Sequence, residues 1–406
     1  MRTSDSRITR PLRFDETQSH PGFGLTPERV LRIFRTAEAG YPAAQCDLFD
    51  DLIENDGHLR DLLDHRCQVV AGKPMVIQAG GPDPADQEAA EVLSAAIARI
   101  PGFLAFIEHQ LGFNRYGWAA TEIDWDFIDG HVVPIFFTNV PARRFLLARN
   151  RLSLITRDFA FEGEPLAPGK WIVTAGKGPL IARAGLMRTA AWFAMFKRFS
   201  GRDWSIYAEK FGLPLVWAEY DENTAADARE AAEAAVDNIG EDGSAIISKG
   251  VQIHIEEAGR NGDAAKVHGG MIAHCNREMS KLVNGSTLAN DNGDGGSSYA
   301  LGNTHDRVRH ENIEYDVRRV ETSFVDGISR PFVHFNAMSA RPPLLRVQYH
   351  RQLTPSERVL LAKGMTELGI PVSRDQMRQE TGFKAPVHAD DEAWGQANAD
   401  RREENE

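Results

Sequence analysis

The chain has 406 residues and a formal net charge of -12, with 42% hydrophobic and 26% charged residues. That composition fits two or three folded domains around a real core, and the acidic balance opposes bulk adsorption to nucleic acid without excluding a protein that encloses DNA and lets it slide. Cys46, Cys67 and Cys275 are too few and too far apart for a disulfide framework or a thiolate metal cluster, and neither a secretory signal nor a membrane-spanning segment is expected, since no apolar run approaches ~20 residues.

Residues 1–24 are polar and interrupted by Pro11 and Pro21, so they read as an arm. Thr26-Pro27-Glu28 opens the first helix, with a hydroxyl cap and a proline where no amide is needed. Further helices are predicted over 43–53, 59–70, 83–100 and 103–113, giving a helical region over 25–117. From Trp118 the period changes to two, and Asp129-Gly130 supplies a hairpin turn. Short strands over 144–148, 152–156 and 170–174 complete a small antiparallel β module over 118–184.

A long helix covers 185–212, with a bend or break expected at Gly201. Met187, Trp192, Met195, Phe199, Trp204, Tyr207 and Phe211 make it apolar around most of its circumference. Such a helix must be covered by its own domain or by neighbouring subunits, and these residues are the candidate subunit contacts. Residues 213–283 read as an α/β unit, with strands at 213–220, 244–247 and 251–255 and helices at 224–239 and 267–282. The segment 284–298 is polar and glycine-rich, with Asn284, Gly285, Ser286, Thr287, Asn290, Asp291, Asp294 and Ser297 as candidate binding positions. Loops this long usually do something, since ordinary connections hold ~4 to 6 residues. A second long helix follows over 299–328 and is expected to end before Pro331; Val308, Val317 and Phe324 on it are further candidate contacts. Residues 346–406 hold a helix over 355–368, a short one over 375–380 and an acidic tail.

Catalytic signatures are weak. His268 and His274 are six apart and no glutamate completes a zinc pattern, while His305 and Asp306 diverge on a helix. Gly176-Lys177 has Trp171 where a phosphate loop needs glycine, and Gly178 where it needs serine or threonine. Ser286 has no histidine near it in sequence, and Asp291 and Asp294 lack the spacing of a calcium loop. Arg307, Arg309, Arg318, Arg319 and Arg330 alternate with Glu311, Glu314, Asp316 and Glu321, a mixture that suits subunit pairing better than a DNA groove. No enzyme activity, metal or cofactor is expected.

Several stretches, taken in order, carry a resemblance: Leu25-Thr26-Pro27; Asp56-Gly57-His58-Leu59-Arg60; Gly185-Leu186-Met187-Arg188-Thr189-Ala190-Ala191-Trp192; Arg202-Asp203-Trp204 with Tyr207 and Phe211-Gly212-Leu213-Pro214; Glu278-Met279-Ser280-Lys281 with Gly285-Ser286-Thr287-Leu288; and the helix with His305, Val308 and Arg309. The chain resembles the portal-protein family of Mu-like bacteriophages and prophages over roughly 25–349. That resemblance implies an α+β portal-type fold with a helical stem, a β-rich clip, an α/β wing and a long wing helix. On it, residues 103–113 and 185–212 are stem helices, 118–184 the clip, 213–283 the wing, 284–298 a channel loop near DNA, 299–345 the long helix, and 346–406 a reduced crown or appendage. It further implies a dodecameric ring at the capsid vertex of the virion, assembled in the host cytoplasm. Double-stranded DNA would be packaged and ejected through the ring without sequence readout. The partners are the terminase large subunit, head-completion or adaptor proteins, and major capsid or scaffold protein. The loop departs from a phosphate grip in holding no arginine or lysine. The alternatives are a head-tail adaptor or other capsid-associated protein, and a metal-dependent hydrolase built on His268, His274 or His305.

Overall fold

A threonine before a proline stops the chain from entering a helix any earlier, because its hydroxyl takes one of the orphan amides of the first turn. The computed structural model describes residues 22, 24–176, 178–211, 215–219, 225–230, 232–234, 252–256, 263–286, 299–349, 355–369 and 373. In it Thr26 Oγ1 accepts from the Arg29 amide at 3.3 Å at the head of α1 (Pro27–Glu38). α2 (Ala43–Asn55) and α3 (Gly57–Ala71) follow, and Asp56 caps α3 by accepting from Leu59 N at 3.1 Å. The arm at 1–21, the strand expected at 244–247, much of the helix at 224–239, the helix at 375–380 and the acidic tail lie outside the described residues.

Beyond α3 come β1 (Met75–Gln78), α4 (Pro84–Ala98), α5 (Phe103–Leu111) and a single turn, α6 (Phe113–Tyr116). The long hairpin β2 (Trp118–Ile128) and β3 (His131–Val140) turns at Asp129 and Gly130, both at positive φ (51° and 87°). Its register slips between Asp124 and Trp125, where the facing residue becomes Pro134, which has no amide to give a ladder. β4 (Phe145–Ala148), β5 (Arg151–Leu154) and β6 (Glu164–Pro165) form a second sheet, and β7 (Trp171–Ala175) joins β2 in the order β3-β2-β7. Then come α7 (Met187–Phe211), β8 (Leu215–Glu219), β9 (Gln252–Glu256), α8 (Asp263–Asn284), α9 (Tyr299–Phe324), α10 (Arg330–Phe335) and β10 (Leu344–Val347). The chain divides into two units, Met1–Tyr349 and His350–Glu406; in the second, α11 (Pro355–Glu367) is described.

In the first unit one apolar core packs α4, α5 and the β3-β2-β7 sheet against α9 through Leu93, Phe106, Ile123, Ile172, Val320 and Phe324. A buried polar chain crosses it: Gln110 Nε2 donates to Thr121 Oγ1 at 2.7 Å, and Thr174 Oγ1 lies 2.7 Å from both Gln110 Oε1 and Ser323 Oγ. A second core joins α1, α2 and α3 to the first half of α7 and the last half of α8. The third lies under β4 and β5, around Trp118, Val140 and Phe145.

Three expectations change. The helix does not end before Pro331: a π-helical turn, Val325–Ser329, carries α9 into α10, with Pro331 in the first turn of α10. Proline gives no amide to the carbonyl four residues back, and the wider turn absorbs the mismatch. Gly201 does not break α7, which is continuous through it. The strands over 118–184 are antiparallel as expected but form two sheets and not one, and the inner face of β2, β3 and β7 is part of the core under α9. β1 and β10, which pair antiparallel from Met75↔Val347 to Gln78↔Leu344, have no counterpart among the predicted elements.

Two glycines in these segments have opposite sensitivities. A Cβ on Gly327 would sit 2.7 Å from Ile172 Cβ and 2.8 Å from its Cα, whereas one on Gly201 would meet nothing within 4 Å. Gly327→Ala is therefore expected to destabilise the chain by about 1–3 kcal/mol, and Gly201→Ala to stabilise it by up to about 1 kcal/mol. Denaturant unfolding of the two variants beside the parent checks both signs.

Candidate assembly faces and channel loop

α7 and α8 form an antiparallel pair. The start of α7 (Met187, Ala190, Ala191, Ala194, Met195) and the end of α8 (Cys275, Met279, Val283) are buried in one core, while Arg202–Ile206 of α7 and Lys266–Val267 of α8 are exposed. Where α7 ends β8 begins, and where β9 ends α8 begins; β8 and β9 pair antiparallel from Leu215↔Glu256 to Glu219↔Gln252. One chain segment thus runs out along a helix, through a two-stranded ladder and back along a second helix.

Polar ties fix the buried ends of this pair. Lys197 of α7 reaches the capping carboxylate of Asp56 at 2.7 Å, and Arg198 lies 3.5 Å from Asp51, which also accepts from Gly22 N at 3.1 Å. His58 Nε2 lies 3.0 Å from both Asn276 O and Ser280 Oγ on α8. Deeper still, Arg66 of α3 donates to both carboxylate oxygens of Asp316 on α9, at 2.7 and 3.0 Å, and its remaining nitrogen donates to the Val283 carbonyl in the last turn of α8. The two side chains are 9% and 0% exposed. One guanidinium therefore holds three helices and closes the C-terminal end of one of them.

The candidate channel loop starts from this clamp. Asn284 and Ser286 are buried (4% and 3%), in contrast to the exposed loop start expected from sequence. Gly285, at φ 76°, lies so close to α9 that a Cβ would meet Val308 Cγ1 at 2.7 Å and Asn312 Nδ2 at 2.8 Å. Glycine is required there on both counts. Thr287, Asn290, Asp291, Asp294 and Ser297 lie outside the described residues.

The candidate subunit contacts divide. Met187, Met195, Val317 and Phe324 are buried within the chain (0%, 0%, 7% and 0% exposed) and are not available to a neighbour. Their amphipathic signal is spent on the chain's own cores. Trp192 and Phe199 are half-buried against the second core, Trp192 edge-on to Phe34 at 6.2 Å, and Tyr207 and Val308 are half-buried. Trp204 is exposed at 42%; the side chain of Phe211 lies outside the described residues. The candidate contacts leave out Phe196, Ile206 and Val267, which are exposed apolar residues on the same pair of helices. The signal was present in the phase of α7, since Phe196 stands half a turn from the buried line of Met187, Ala191 and Ala194. Beside α7 runs a cavity of about 700 Å³ lined by Leu25, Asp51, Met195, Arg198, Phe199 and Arg202.

A second cavity, about 400 Å³, lies between α2, α3 and α6 and is lined by Asp50, Asp64, Cys67, Glu108, Arg115 and Tyr116. Arg115 is committed to Asp64 at 2.6 Å, and the Tyr116 hydroxyl donates to Asp50. Burial raises the Asp50 carboxyl above its ordinary range and pushes the Cys67 thiol up to about 11, so that thiol stays protonated and unreactive near neutrality. Among the described residues no group of three or more His, Cys, Asp or Glu is placed to hold a metal ion. His268 is half-buried and His274 exposed on α8, and the side chain of His305 lies outside the described residues. Gly176 N donates to Gly117 O at 2.7 Å, so its amide is already taken.

This mixed helix-and-sheet architecture recurs among solved structures. It shares its fold with a chain from the neck of an empty GTA particle (TM-score 0.53, 14% identity, 89% of this chain and 95% of that one). A chain from the virion of a native gene transfer agent particle is alike to the same extent (TM-score 0.52, 13% identity, 89% and 95%). Residues 46–383 match the family described as the portal protein of Mu bacteriophage, and the chain belongs to that family. It is 30% identical over 342 residues to the Mu-like prophage FluMu protein gp29 of Haemophilus influenzae, covering 83% of this chain and 65% of that protein. It is 28% identical over 327 residues to the portal protein of Escherichia phage Mu, covering 80% and 63%. The chain thus spans a little under two thirds of the length of these relatives.

The clamp gives a prediction of its own. Removing one member of a buried ion pair leaves the other charge without its partner, so Arg66→Met or Asp316→Leu alone is expected to cost about 3–5 kcal/mol, and the two together distinctly less than their sum. Equilibrium unfolding of the four proteins of this cycle measures the coupling.

Proposed function

We propose that this chain is the structural subunit of a portal ring at the capsid vertex, through which double-stranded DNA enters and leaves a phage or prophage particle. The reading rests on membership of the portal family together with one observation: α7 carries Phe196, Trp204 and Ile206, and the start of α8 carries Val267, as large apolar side chains exposed to 38%, 42%, 42% and 68%. In a ring of about twelve copies each subunit offers one flank of this helix pair to the next, and closure buries what a lone chain leaves wet. Its work is done by shape and carries no chemistry. The motor is a separate terminase that docks on the ring, with head-completion or adaptor proteins taking its place later and capsid or scaffold protein surrounding it. Residues 284–298 lie toward the channel as its loop. In this reading the ladder of β8 and β9, which lies between α7 and α8 in the chain, is offered to docking proteins outside the shell in preference to the sheet of β2, β3 and β7, which packs on the core.

Native mass spectrometry and negative-stain imaging of the purified chain test the ring. The expected particle has about twelve copies and a central hole of about 20 Å or more, wide enough for a duplex. Trp204→Asp combined with Ile206→Asp is expected to abolish the particle while leaving the circular dichroism and melting of the chain unchanged. A chain that stays monomeric both alone and when produced together with its capsid protein overturns the reading.

A further inference from the structure

The outward face of α8 has an unusual composition. The helix exposes Lys266, Gly270, His274, Arg277 and Lys281, which recur at intervals of four, four, three and four and therefore lie on one line along the cylinder. At 1.5 Å per residue that line is about 22 Å long. Within a chain of net charge -12 it contains no acidic residue. Among the described side chains of α8 the one carboxylate is Glu278, half-buried beside the line and 2.7 Å from Lys281. That bond, with smaller help from His274 and Arg277, holds the Glu278 carboxyl below its ordinary range. The opposite side of the helix is fixed by Cys275, Met279 and Val283 in the core and by His58 at Ser280, so the basic line is oriented and cannot roll inward.

Resting on the ring reading above, we propose that this line is the surface that meets the phosphates of the double-stranded DNA passing through the channel. Its length covers a substantial part of one helical turn of a duplex, and repetition around the ring presents a band of cations to a polyanion. The contacts suit sliding. Three long flexible cations per chain are spread over about 22 Å, and Glu278 tempers the end of the line nearest the loop. Retention comes from many weak contacts and not from a fitted site. The net acidity of the chain thus does not describe the face that DNA meets.

The experiment uses assembled rings of the full chain, a short linear duplex of random sequence and fluorescence anisotropy across a salt series. Lys266→Gln, Arg277→Gln and Lys281→Gln are combined, and Arg32→Gln with Arg35→Gln on the exposed face of α1 serves as a control of similar charge change. Rings of the triple variant are expected to assemble normally, to bind duplex about tenfold or more weakly at low salt, and to lose about 0.9 from the log-log salt slope for each phosphate contact removed, while the control keeps the parent's slope. Rings of the triple variant with unchanged affinity and slope overturn the inference and leave the ring reading standing. Failure of the triple variant to form rings that the parent forms also overturns it, by assigning the line to an interface between copies. If the parent itself forms no ring, the underlying reading has failed and the inference falls with it.

Discussion

Arg66 is the residue on which the arrangement of helices turns. A guanidinium has five donors in a fixed planar fork, and here the fork is used on three sides: two bonds go to the Asp316 carboxylate and one to the Val283 carbonyl. Val283 lies in the last turn of α8, where carbonyls have no intrahelical partner. The same group thus neutralises a buried carboxylate on α9 and closes the end of α8, and it does so from α3, the helix that contributes to both of the larger cores. Lysine cannot substitute, because one ammonium is a point charge without the bidentate geometry. Just past the clamped Val283, Asn284 and Ser286 are buried, so the chain is still held two residues beyond the end of α8.

The rest of the helix pair follows from that fixed end. Close to the clamp, α7 and α8 are held by alanine-sized contacts and by charges that reach across from α2 and α3, so they are rigid there. Farther out, apolar side chains face water. A single chain gains nothing by exposing Trp204 or Val267, and the physical gain appears only if another surface covers them. On the proposed ring reading, the gradient along the same two helices, from enclosed to open, divides the part that belongs to the subunit from the part left for its neighbours.

Local signals in the sequence located most elements and misled on their partners. The Thr26-Pro27 helix start, the Asp129-Gly130 turn and the apolar phase of α7 are decided within a few residues, and each stands where the sequence placed it. β1 and β10 were illegible because four-residue strands become strands only by pairing, and their partner lies on the order of hundreds of residues away in the chain. Pro331 and Gly201 misled for the opposite reason, being strong local breakers overruled by context: a π turn accommodates the first, and the second costs only about 1 kcal/mol in an otherwise good helix. The candidate contacts failed where periodicity could not say which partner an apolar stripe has. Met187 and Trp204 belong to one helix and look alike in sequence, yet one is core and the other is surface.

Charge shows the same limit. A net charge of -12 averages over a surface on which opposite signs are sorted by element, and a passing duplex responds to the few residues within a Debye length, about 8 to 10 Å, and hardly at all to the sum. Carboxylates such as Asp51, Asp56 and Asp316 are spent inside the chain on arginine and lysine partners and contribute little field outside it. Lys266, Arg277 and Lys281 are exposed on one line of α8, and Glu278 beside it offsets part of the charge of Lys281. On the proposed ring reading, whether the channel wall attracts or repels DNA is decided by which helix face the buried ties turn toward it, and the contacts that seat α8 in the second core are made by Cys275, Met279 and Val283, on the face opposite the cations.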